Sequence, residues 1–214
     1  MMTMDTPPAI HEEYAFITPK DNGYNKQFTP DTVDKFDYVP NPDLDMSKVK
    51  NGAKVKDIMS GSILDEDRYK GIGDMKIKVD PEMTLLGRFD TKTNTIWLKD
   101  STDQNTALHE IQHAIDKKSG TNKIKGVREI EKENGLPHNL RKIEQTTKTN
   151  DILIEAEKMM KAGKTGDQVL QYFDKKIKQA DGIDTPEAKA LYNRYKSART
   201  LFQRYLDENN SLIA

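Results

Sequence analysis

The sequence predicts an α+β fold: a small antiparallel sheet or hairpin packed on one His-rich helix, followed by a helical C-terminal half. Three observations predict it. Prolines crowd the N-terminus, six of the nine lying in residues 1–42. Apolar residues then alternate with polar ones between 75 and 98. After residue 101 the apolar spacing changes to the 3.6-residue period of a helix.

Residues 1–45 read as an extended, Pro-rich arm. Proline fixes φ and lacks an N–H, so Pro7-Pro8, Pro19, Pro30 and Pro40-Asn41-Pro42 exclude a regular helix or a central strand. Tyr14, Phe16, Tyr24, Phe28 and Phe36 predict that this arm packs on something, either the rest of the chain or another subunit. Residues 46–135 are expected to form the metal-binding core, with a short helix near 62–69. Met75, Ile77 and Val79 alternate with Lys76 and Lys78, as in a half-buried strand. The stretches 85–89 and 95–98 flank turn formers at 90–94, which predicts a hairpin.

Ser101 or Asp103 caps the next helix, which runs to about Lys118 and stops at Gly120. Shorter helices are expected near 125–134 and 139–146, then 151–161 and 167–179. The last begins at Pro186, a residue suited to the first helical position. Its stripe of Ala188, Leu191, Tyr192, Tyr195, Ala198, Phe202 and Tyr205 reads as core or interface. Residues 136–214 are therefore expected to form a helical subdomain.

Composition excludes several function classes. The 214 residues include no cysteine, which removes disulfides, thiolate metal ligands and a thiol nucleophile. No apolar run is long enough for a membrane span. The N-terminus lacks the basic and apolar regions of a secretory signal, so a cytoplasmic location is expected. Residues 1–116 carry net −7 and residues 117–214 net +6, so the two halves should attract each other. No basic stripe interleaved with aromatics points to nucleic acid.

The chemistry lies in the capped helix. His109-Glu110-Ile111-Gln112-His113 has the HExxH spacing of a zinc site. Residues four apart stack on one helical face, so both imidazoles can reach one ion. Glu110, rotated by about 100°, stands beside that ion as a general base. Leu108, Ile111 and Ile115 form the opposite, apolar face. Catalytic zinc takes three protein ligands. A metzincin-type extension would need Gly and His where Asp116 and Ser119 stand, so the third ligand should be an acid further on. Glu131 is the first candidate, because it shares a helical face with Val127 and Ile130. Glu155 is the second and Glu144 follows; His138, beside Pro137, is a weaker one. Tyr192 and Tyr195 are candidate oxyanion donors, and Trp97 is expected to pack under the helix. Either hairpin strand could seat an extended peptide by β-augmentation.

The stretch Gly87-Arg88-Phe89-Asp90-Thr91-Lys92-Thr93-Asn94-Thr95-Ile96-Trp97-Leu98, followed by Leu108-His109-Glu110-Ile111-Gln112-His113-Ala114-Ile115, resembles a phage and prophage zincin-like metallopeptidase domain. Such domains are often embedded in large polyvalent phage proteins. The resemblance covers about residues 64–118. It implies a zincin-like fold, a Zn2+ cofactor, His109 and His113 as ligands, Glu110 as base, and a protein or peptide substrate. It also implies a host-cell or virion-associated setting with phage or host protein partners. The family's later G-E-x-E-A-R acid has no counterpart after the Leu191–Thr200 stretch. Either Glu131 or Glu155 completes the site, or the chain is a catalytically degenerate structural relative. A peptidoglycan hydrolase is a third, more distant expectation.

Overall fold

The computed structural model describes residues 16–20, 28–39, 43–59, 69, 71–120, 137, 140–141 and 144–211. Two short strands, β1 (Phe16–Pro19) and β2 (Phe36–Val39), pair antiparallel. A single helical turn, α1 (Val55–Ile58), precedes the second sheet. That sheet holds β3 (Lys76–Val79), β4 (Gly87–Asp90) and β5 (Thr95–Leu98) in the order β3-β5-β4. Four longer helices follow: α2 (Gln104–Ser119), α3 (Gln145–Lys161), α4 (Gly166–Ala180) and α5 (Pro186–Ser211). The fold is thus mixed α+β, with the small sheets preceding the long helices along the chain.

The hairpin forms as expected, but its sheet is mixed. β4 pairs antiparallel with β5, whereas β3 pairs parallel with β5 on its other side. β5 is therefore central and β4 is an edge. Along β5, Ile96 and Leu98 point into the core with α2, and Thr95 is also buried. Trp97 lies on the other face, between the Lys78 ammonium at 4.7 Å and the Arg88 guanidinium at 5.6 Å. The expectation that Trp97 packs under the helix is corrected by the pleat, which sends neighbouring side chains to opposite faces.

α2 begins where the sequence places it. Asp103 Oδ1 accepts the Thr106 N–H at 3.1 Å, and Gly120 ends the helix in the left-handed region at φ 70°. α3 differs: it starts at Gln145, six residues before the expected Asp151. Its first turns hold Thr146, Thr147, Thr149 and Asn150, all poor helix formers. All four are buried, and Thr147 and Thr149 hydroxyls bond back to the Glu144 and Gln145 carbonyls. Tertiary burial overrides local propensity here, and the predicted break disappears.

The core has two lobes. One gathers the three-stranded sheet, α1 and α2 around Ile77, Ile96, Leu98, Leu108, Ile111 and Ile115. The other gathers α3, α4 and α5 around Leu153, Val169, Phe173 and Phe202. α3 joins them, since Ile154 belongs to the first and Leu153 to the second. The described parts of 1–45 are packed rather than splayed: Phe16 enters the first lobe, while Ile17, Phe28 and Phe36 enter the second. No helix among the described residues is long and apolar enough to cross a membrane.

Candidate metal centre

The apolar face of α2 rests on the sheet, which turns His109 and His113 toward the start of α3. There they meet Glu144, the residue just before α3. One ligand atom from each of the three lies within 4.8 Å of the others. Glu144 Oε2 stands 3.5 Å from His113 Nε2 and 3.7 Å from His109 Nε2. The two imidazoles are edge to face, with ring centroids 4.9 Å apart. A tetrahedral zinc with bonds of about 2.0–2.1 Å holds its donors about 3.4 Å apart. The spacing and the N,N,O donor set therefore fit that ion.

A second carboxylate orients the first histidine. Asp151 accepts from His109 Nδ1 at 3.0 and 3.1 Å. That places the Nδ1 proton against Asp151 and leaves Nε2 facing Glu144. Burial opposes a charge on His109, but the bonds to Asp151 and Glu144, with the charges of Asp151 and Glu110, raise its pKa to about 9. Asp151 shows the matching effect. Burial raises its pKa, yet the hydrogen bond and charge of His109, with Lys148 at 3.2 Å, hold it below the usual carboxylate range.

Glu110 is buried where α2 lies against Gly87 of β4. Burial pushes its pKa up; the charges of His113 and His109 pull it down, Glu144 raises it, and the backbone N–H of Phe89 lowers it. The net direction is upward, with burial as the largest cause.

Two further buried groups border the cluster. Asp116 accepts from Gln112 Nε2 at 2.9 Å through Oδ1, while its Oδ2 has no hydrogen-bond partner among the described residues. Burial raises its pKa to about 7, against the lowering effects of the His113 charge and the Gln112 hydrogen bond. Arg194 of α5 is buried, and its Nε donates to Gln145 Oε1 at 3.2 Å. Burial lowers its pKa while the charges of Glu144 and Asp151 raise it, so its guanidinium faces both acids electrostatically.

The other sequence candidates are placed elsewhere. Glu131 and His138 lie outside the described residues. Glu155 is exposed and accepts from the Tyr172 hydroxyl at 3.2 Å. It stands eleven residues beyond Glu144, about 16 Å along α3, so it does not join the histidines. Tyr195 is buried in the helical lobe with its hydroxyl 3.4 Å from that of Tyr172. Tyr192 is half-buried under the Lys196 ammonium. Asp151 and Arg194 were not among the sequence candidates. The Glu144/Asp151 spacing of seven, two helical turns, was the available signal, hidden by the threonine run between them. No family model, curated protein or solved structure matches the chain.

Proposed function

We propose that this chain is a zinc-dependent metallopeptidase of zincin type, with His109, His113 and Glu144 as ligands and Glu110 as general base. The observation that carries the reading is the carboxylate of Glu144 within reach of both HExxH imidazoles. It replaces Glu131 and Glu155 as the proposed third ligand. It also favours an enzyme over a degenerate scaffold, because an acid beside the two histidines answers the missing G-E-x-E-A-R segment, one of the features that favour a scaffold.

When bound, zinc supplies Lewis acidity that activates a water and polarises a carbonyl. The chain's own residues do the rest. With an ion bound, the hydrogen bond from His109 Nδ1 to Asp151 would keep the proton on Nδ1 and leave Nε2 as the lone-pair donor. Glu110 takes the proton of the attacking water and returns it to the leaving amine. β4 supplies the edge along which an extended peptide can add, since β5 already has strands on both sides. The resemblance of residues 64–118 extends the proposal to a phage or prophage setting.

The test compares wild type with Glu110→Gln and Glu144→Gln. Purified wild type should hold one zinc per chain and cleave an unstructured protein. Glu110→Gln should keep the zinc and lose at least about a hundredfold in kcat, the scale of general-base catalysis. Glu144→Gln should lose most of the zinc. Wild type without stoichiometric metal, or Glu110→Gln with undiminished cleavage, would sink the reading.

A further inference from the structure

Glu110 is buried under a residue with no side chain. α2 lies against β4 so closely that a β-carbon built on Gly87 would stand 2.9 Å from Glu110 Oε1 and 3.0 Å from its Cγ. The same atom would stand 2.5 Å from Thr106 Cγ2. Optimal carbon–carbon contacts are about 3.5–4.0 Å, so something would have to move. The backbone at Gly87 is not in the left-handed region, so its conformation does not call for glycine. Glycine in a strand weakens it, and one usual reason to find it there is close approach of another group. Here that group is the carboxylate of Glu110. Two residues along the same strand, the Phe89 N–H interacts with that carboxylate.

We infer that Gly87 is a positioning residue for Glu110: the space left by its missing side chain is the berth in which the general base lies beside the histidine pair. The inference rests on the proposed role of Glu110. The atoms that crowd Gly87 belong to Thr106 and Glu110 and not to the proposed ligands, so loss at this position should appear in the chemical step and not in metal binding.

Two variants separate positioning from packing. Gly87→Ala meets both neighbours. Gly87→Ala/Thr106→Ser removes the closer contact, because serine lacks Cγ2. It also keeps the hydroxyl that donates to Asp103 Oδ2 at 2.6 Å and so preserves the helix cap. The double variant should hold zinc as wild type does, with KM within about threefold and kcat reduced about ten- to hundredfold, the scale of an ångström-level misplacement. A crystal structure should show the Glu110 carboxylate displaced.

A stability cycle reads the same contact without turnover. With Glu110 present, adding Gly87→Ala to Thr106→Ser should lower Tm by about 3 °C or more; in a Glu110→Ala background the same change should leave Tm nearly constant. Wild-type kcat in the double variant, or an equal Tm loss in both backgrounds, overturns the inference. If wild type neither binds zinc nor cleaves peptides, the enzymatic proposal fails on that result, and the Tm cycle still decides whether Gly87 sets the place of Glu110.

Discussion

The centre contains four carboxylates whose roles are separated by surroundings. Glu144 faces two imidazole nitrogens, Asp151 holds one imidazole from behind, and Glu110 is buried against a strand. Asp116 has no such partner for its second oxygen among the described residues. It carries the clearest consequence for pH, because burial raises its folded pKa to about 7. The unfolded value is about 3.9. The folded state therefore binds the proton more tightly and loses stability as pH rises from about 4 to about 7, with a constant penalty above. Asp116→Asn keeps the acceptor for Gln112 and removes the charge. Urea unfolding of the metal-free protein should show the variant gaining on wild type through that window, by at most about 4 kcal/mol. A stability difference independent of pH would refute burial as the cause.

At the scale of elements, α2 does more than present ligands. Gln112, the residue before His113, is fully buried and faces β1. Its Oε1 accepts the Ile17 N–H at 3.1 Å, and its Nε2 donates to the Ile17 carbonyl at 3.0 Å. The amide thus pairs with β1 as a neighbouring strand would, which covers an edge otherwise left open. The same Nε2 bonds Asp116, so one side chain ties the N-terminal segment, α2 and the buried acid together. Gln112→Ala would leave the Ile17 amide and carbonyl buried and unpaired. At about 1–3 kcal/mol for each orphaned group, a loss of about 3 kcal/mol is expected in denaturant unfolding. Hydrogen exchange at the Ile17 amide should quicken in parallel. A loss below about 1 kcal/mol would show that β1 is held by its apolar contacts alone. At the far end of α2, Lys117 bonds the Asn94 side chain at 2.7 Å and the Thr91 carbonyl, which secures the helix to the β4–β5 turn.

Across the whole molecule, the site is assembled from two halves. The histidines and Glu110 belong to the acidic first half, while Glu144, Asp151 and Arg194 belong to the basic second half. Exposed charge pairs are a minor part of the join. Lys161 reaches Asp43 at 2.9 Å, but both are largely exposed, and such a pair contributes about 0–1 kcal/mol. Apolar burial along α3 joins the lobes, with Ile154 on one side and Leu153 on the other. Packing in the helical lobe should therefore set how well Glu144 is placed. Phe202 is almost fully buried there, against Phe173 at 5.9 Å. Phe202→Ala should cost about 3–5 kcal/mol. It should also weaken zinc binding measurably, although no ligand changes. An unaltered zinc affinity in the folded variant would mean that the start of α3 is held independently of this lobe.

Elements with strong local signals are legible from the residues alone. The HExxH helix could be read from its period, its Asp103 cap and its Gly120 stop, and the hairpin from its turn residues. The shared face of His109 and His113 was legible for the same reason, because i,i+4 spacing is a local geometric fact. Which acid stands beside the histidines depends on how α3 packs against α2. Glu144 and Asp151 flank a threonine-rich stretch whose local preference argues against a helix, and burial between two packed lobes overrides that preference. Tertiary packing likewise decided the mixed order of the sheet, the outward turn of Trp97 and the close approach of Gly87 to Glu110. Each depends on contacts between residues far apart in the chain, which local periodicity does not encode.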